Sequence, residues 1–163
     1  MMMSSQMTTW STTDSPLGEL LLVAEDDALT QVGFEPFEPP EADGDDDHDV
    51  LVAAREQLAE YFAGDREVFE LPLAPAGTDF RQAVWAELRK IPYGTTTTYG
   101  AIARNLGLTG HGARAVGHAN GSNPIAIVVP CHRVVGSDGS LTGYGGGIER
   151  KRDLLALERS ALI

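Results

Sequence analysis

The sequence predicts a mixed α+β protein built in two parts, on three observations. Short apolar runs broken by polar turns fill the first third of the chain. Apolar residues recur at helical spacing in five later segments, and a Pro- and Ala-rich stretch, Leu71 to Gly77, separates the two parts. With 163 residues, 42% of them apolar, the chain is long enough to pack a core in each part.

Thr8 to Phe34 reads as a hairpin or meander. Leu20-Leu21-Leu22-Val23 and Leu29 to Phe34 are apolar runs on either side of the polar turn Glu25-Asp26-Asp27. Glu35 to Asp49 carries three prolines and the run Asp45-Asp46-Asp47, the pattern of an exposed acidic loop. Val50 to Phe62 repeats Leu51, Ala54, Leu58, Tyr61 and Phe62 at helical spacing, and Gly64 can end that helix.

The second part opens with a predicted helix from Asp79 to Ile91. Thr78 or Asp79 can cap it, Phe80, Val84 and Leu88 share a face, and Pro92 stops it. Helices over Tyr99 to Leu106, closed by Gly107, and over Ala113 to Asn120 follow across a small glycine-bearing turn, as in a helix-turn-helix. Ile125 to Val129 predicts a buried strand ended by Pro130. Gly136 to Gly147 is a glycine-rich loop around Tyr144, without the Lys-Ser/Thr of a phosphate-cradling loop. Ile148 to Arg159 predicts the last helix, with Leu154, Leu155 and Leu157 inward.

The net charge of −12 speaks at first against a nucleic-acid partner, because phosphates repel carboxylates. The charge is unevenly placed, however. Up to Gly77, eighteen Asp and Glu face only Arg55 and Arg66; from Thr78 onward, ten Lys and Arg face six acids. Between Glu87 and Asp138 there is no carboxylate at all, while Arg89, Lys90, Arg104, Arg114 and Arg133 fall inside. The second part can therefore meet DNA. The acidic surface also suits a proteome working at high salt, where self-repulsion is screened.

Apolar runs are too short to span a bilayer, and Met1 to Thr9 has neither a basic nor an apolar stretch, so neither membrane insertion nor a leader is expected. The single cysteine excludes an internal disulfide and a multi-thiolate zinc site, and fits a reducing, cytoplasmic setting.

A free cysteine is more often an inert buried side chain than a nucleophile. Cys131 departs from that pattern because His132 and Arg133 follow it and it closes an apolar segment, so cationic help for a thiolate is at hand. Glu158 could orient the far nitrogen of His132, completing a Cys-His-acid relay. His48, His111 and His118 show no metal-ligand spacing and read as surface or structural.

Pro130-Cys131-His132-Arg133-Val134-Val135-Gly136 resembles the active-site signature of the O6-alkylguanine-DNA alkyltransferases. Val84-Trp85, Ile91-Pro92-Tyr93-Gly94, Tyr99-Gly100, Arg114-Ala115-Val116-Gly117, Asn123-Pro124, Gly143-Tyr144 and Leu154-Leu155-Ala156-Leu157-Glu158 also match, in order, across Thr78 to Glu158. The resemblance implies a ribonuclease-H-like α/β domain over residues 8–77 and a mainly helical, DNA-binding domain with a helix-turn-helix over residues 78–163. It implies Cys131 as nucleophile, His132 as a base acting through water, Glu158 holding His132, and Asn123 organising the turn. Tyr99 would donate to the departing guanine, and Arg114 would fill the stack left by the flipped base, with Ala115 and Gly117 against the DNA. The Cys131 and Val134 carbonyls, Tyr144 and Gly145 would line the base pocket.

The expected activity is stoichiometric, irreversible transfer of an alkyl group from O6-alkylguanine in double-stranded DNA to Cys131, with O4-alkylthymine left open. Neither a cofactor nor a metal is expected, since the first part lacks the cysteines that some relatives use for zinc, and a monomer is expected. Two other readings stay open on the residues alone. A damage sensor without chemistry would have no need of Cys131 beside His132. A cysteine hydrolase would leave Arg114 and the helix pair unexplained.

Overall fold

The computed structural model describes residues 7–141, 144 and 146–161. The chain divides after Pro75 into two compact units.

In the first unit, β1 (Thr8–Thr13), β2 (Leu20–Glu25) and β3 (Ala28–Phe34) form an antiparallel meander in the order β1-β2-β3. Leu20 to Ala24 of the central strand are all buried, as expected for a strand paired on both edges and covered on its faces. The helix α1 (Asp49–Phe62) packs on this sheet through Leu51, Ala54, Leu58 and Tyr61. His48 is structural. As N-cap its Nδ1 accepts from the Val50 N–H at 3.2 Å, while Nε2 donates to the Asp26 carbonyl at 2.9 Å. Gly64, at φ +82°, takes the left-handed position that turns the chain away from the helix.

The stretch read as a linker is partly structured. The Leu29 N–H donates to Pro72, and the Ala74 N–H donates to Leu29, so Leu73 adds a short parallel bridge beside β3. Proline content suggested a free connection, but backbone donors on the open edge of β3 had to be satisfied.

Among its described residues the second unit has four helices, a 3-10 turn and two two-residue strands. The helix α2 (Asp79–Leu88) is capped by Thr78, whose hydroxyl accepts from Arg81 N–H. It ends three residues before the expected Ile91, and its inward face is Val84, Trp85 and Leu88; Phe80 is partly exposed. The strand β4 (Thr97–Thr98) leads into α3 (Tyr99–Asn105), and α4 (Gly112–Gly121) follows. Gly107, at φ +73°, permits the turn between them, and a Cβ on Gly112 would stand 2.6 Å from the Leu108 Cβ. The last helix is α5 (Ile148–Ala161).

Ile125 to Val129 is buried as expected, but it is not a strand. The Val128 and Val129 N–H groups donate back to Ala126 and Ile125, and Ile127 has φ +71°. A short continuous apolar run reports burial and leaves backbone conformation undetermined. The strand of this region is β5 (Val134–Val135), past the cysteine, and it pairs in parallel with β4.

Candidate active site

Cys131 begins the 3-10 turn Cys131–Arg133, held from both sides by residues at the end of α4 and just beyond it. Asn123 Nδ2 donates to the Val129 carbonyl at 2.9 Å, and its Oδ1 accepts from the Ile125 N–H at 3.1 Å. Asn120 Nδ2 donates to the Cys131 carbonyl at 3.3 Å. The sequence resemblance singled out Asn123; Asn120 carried no signal, because a polar residue in a helix is unremarkable until the helix end proves buried.

Behind the cysteine sits a buried polar cluster. His132 Nε2 and Glu158 Oε2 are 2.6 Å apart. Arg133 Nε donates to Glu158 Oε1 at 2.8 Å and Nη2 to Oε2 at 2.9 Å, a forked pairing, while Nη1 reaches the Ile91 carbonyl. The Gly94 N–H adds a fourth donor to Glu158. The Arg133 guanidinium lies 5.6 Å from the centre of the Tyr93 ring. Burial alone would raise the Glu158 pKa, but hydrogen bonds from His132 and Arg133 outweigh it and hold the carboxyl at about 2.

Those charges decide the state of His132. Burial lowers its pKa against the opposing pull of Glu158, so the imidazole is neutral near pH 7. A carboxylate can only accept, so Nε2 must carry the proton and Nδ1 must carry the lone pair. His132 Nδ1 is buried with no hydrogen-bond partner among the described residues. A neutral imidazole with its lone pair on Nδ1 is able to accept a proton.

Burial pushes the Cys131 thiol pKa up; side-chain hydrogen bonding from Asn123 and Tyr144 and the charge of Lys151 act against it. The expected cationic help from Arg133 is a misassignment: that guanidinium is spent on Glu158, and the cation acting on the sulfur is Lys151. Lys151 is fully buried, its ammonium 5.9 Å from the centre of the Tyr99 ring. On α5 it shares a face with Leu154, Leu155 and Glu158, at i, i+3, i+4 and i+7, whereas Leu157 is only half-buried. Helical spacing from Glu158 could have found it, but a lysine reads as surface by default.

Val134 is buried, and its N–H donates to the Cys131 carbonyl. The Tyr144 hydroxyl is buried, and burial raises its pKa well above the usual range. Gly145 lies outside the described residues.

Tyr99, Gly100, Ala113, Arg114, Gly117, His118 and Ser137 line an open groove of about 580 Å³. Ala113, Arg114, Ala115 and His118 are exposed, whereas Gly112, Val116, Ala119 and Asn120 face inward. Tight packing accounts for the buried Gly112 and Ala119 but not for the others: Ala113 and Ala115 are exposed, and a Cβ on Gly117 would meet Tyr99 only at an ordinary 3.8 Å. They leave the outer face of α4 open to close approach.

A buried cysteine followed in sequence by a histidine–carboxylate pair, in one unit with a helix-turn-helix, is an arrangement able to support a cysteine nucleophile. The comparisons with known proteins agree. Residues 8–75 match the ribonuclease-like domain, and residues 79–160 the DNA-binding domain, of 6-O-methylguanine DNA methyltransferase. The methylated-DNA–protein-cysteine methyltransferase of Mycolicibacterium paratuberculosis is 49% identical over 94% of this chain and 93% of its own length. That of Methanosarcina acetivorans is 46% identical over 90% and 96%. The crystal structure of Mycobacterium tuberculosis OGT in complex with DNA superposes with a TM-score of 0.87 at 49% identity, over 94% of each chain. The chain belongs to the O6-alkylguanine-DNA alkyltransferase family.

Proposed function

We propose that this protein repairs alkylated double-stranded DNA by direct reversal, taking the alkyl group from O6 of guanine onto Cys131 once per molecule. The observation that carries the reading is the His132–Glu158 pair beside a buried, solitary thiol, with Nδ1 free to accept a proton. The names of the relatives and the DNA complex of the M. tuberculosis protein support the same reading.

The residues divide the work as follows. Arg114, exposed near the start of α4, enters the duplex and takes the place of the extruded base, which offsets part of the few kcal/mol that flipping costs. Ala115 and Gly117 let α4 approach the groove without reading sequence, as a search for damage at any site requires. His132 Nδ1 takes the thiol proton through a water, and Glu158 stabilises the imidazolium that results. The sulfur displaces the base at the alkyl carbon: the new S–C bond forms as the C–O6 bond breaks. The electron pair passes to the purine, Tyr99 donates a hydrogen bond to the departing guanine, and the proton taken up by His132 returns through water to the purine. Asn123 holds the turn that aims the sulfur, while Val134, Tyr144 and Gly145 bound the base.

The thioether product is stable, so the protein acts once and needs no cofactor. Residues 8–77 serve as a scaffold domain and residues 78–163 as the DNA-binding and transfer domain, in a cytoplasmic monomer. None of the described helices is long and apolar enough to cross a membrane.

Intact and peptide mass after incubation with a duplex bearing one O6-methylguanine tests this. One methyl group on the Cys131 peptide, absent in Cys131→Ala, is the expected result, and a parallel duplex with O4-methylthymine measures the second lesion. Unmodified protein that still binds the lesion would refute transfer and point to a sensor.

A further inference from the structure

Asn120 lies in the last turn of α4 and is 1% exposed. Its Nδ2 is engaged by the Cys131 carbonyl, but its Oδ1 has no hydrogen-bond partner among the described residues. The contact with Cys131 dictates which atom is which, since a flipped amide would set two oxygens against each other. A buried acceptor without a donor is destabilising, and an apolar side chain of similar size would avoid that cost.

The Cys131 carbonyl, by contrast, is already occupied: it accepts from the Val134 N–H as well as from Asn120. Close to Cys131, the Asn120 amide oxygen is thus a buried side-chain acceptor with capacity to spare. On the reading of the site proposed above, the group presented to Cys131 is a guanine carrying its alkyl group on O6. Guanine holds a 2-amino donor on the same edge as O6.

We propose that Asn120 Oδ1 accepts a hydrogen bond from the guanine 2-amino group, so that Asn120 is a base-reading residue of this site. The orphaned acceptor of the free protein is satisfied when guanine arrives.

The test compares single-turnover methyl transfer from duplexes bearing O6-methylguanine or O6-methylhypoxanthine, which differ only in the 2-amino group. Wild-type protein is expected to react about three- to tenfold faster with the guanine lesion, the worth of one hydrogen bond. Asn120→Leu and Asn120→Ala should bring that ratio down at least threefold. A purely structural role would slow both lesions alike and leave the ratio unchanged, which overturns the proposal. Equal wild-type rates on the two lesions also overturn it, whether or not the variants fold. Wild-type protein inert to both would overturn the repair reading itself, a distinct result.

Discussion

Replacing Glu158 by Gln keeps the shape of the buried cluster and removes its only negative charge. In the native site two carboxylate oxygens receive Arg133 twice, His132 and Gly94. A glutamine offers one acceptor oxygen and one NH2, so at least one of these donors would face another donor. The Arg133 guanidinium, 5% exposed, would keep its charge without an anion. Breaking one side of a buried pair costs about 3–5 kcal/mol. An independent route gives a similar figure. A carboxyl held at about 2 instead of the ordinary 4.5 stabilises the fold by about 3 kcal/mol at neutral pH. Because the folded pKa is the depressed one, this contribution is present above pH 4.5 and is lost as pH falls toward 2. His132 acts in the same direction. Burial lowers its folded pKa, so the unfolded chain binds the extra proton first and stability falls below pH 6.5. Urea unfolding of both proteins at pH 7 and pH 4 measures the effect, and methyl transfer from O6-methylguanine duplex measures the loss of the imidazole anchor. A Glu158→Gln protein within about 1 kcal/mol of wild type, or one that repairs at the wild-type rate, would refute this account of the cluster.

Three further outcomes follow from the geometry. Lys151→Met removes the cation acting on Cys131, so the pH midpoint of Cys131 alkylation by iodoacetamide should rise; an unchanged midpoint would show the charge to be ineffective there. His48→Ala deletes the cap of α1 and its tie to Asp26, and should cost about 1 kcal/mol in urea unfolding without slowing methyl transfer. With a net charge of −12 and few cations near the groove, melting temperature should rise from low to molar salt, while affinity for lesion DNA should fall only shallowly. A flat melting temperature or a steep affinity loss would contradict it.

Much of the molecule is legible in the amino-acid order alone because the signals are local. Polar turns between apolar runs mark the meander, Thr78 and Gly64 mark helix ends, and spacing gives the inward faces of α1 and α2 apart from Phe80. The motif around Cys131 is contiguous, so the proposed nucleophile and the histidine beside it are readable without coordinates. Other features required the chain to close on itself. Ile125–Val129 is apolar in either conformation, and only the hydrogen bonds of the folded turn show that it is not a strand. The destination of the Arg133 charge, the burial of Lys151 and the neutral state of His132 depend on groups up to 64 residues apart in sequence. Local sequence therefore determined most of the elements and pointed to the candidate reactive residue. Tertiary structure decided which charges meet and which polar atoms remain unmatched, because desolvation and Coulomb pairing depend on distance in space and burial.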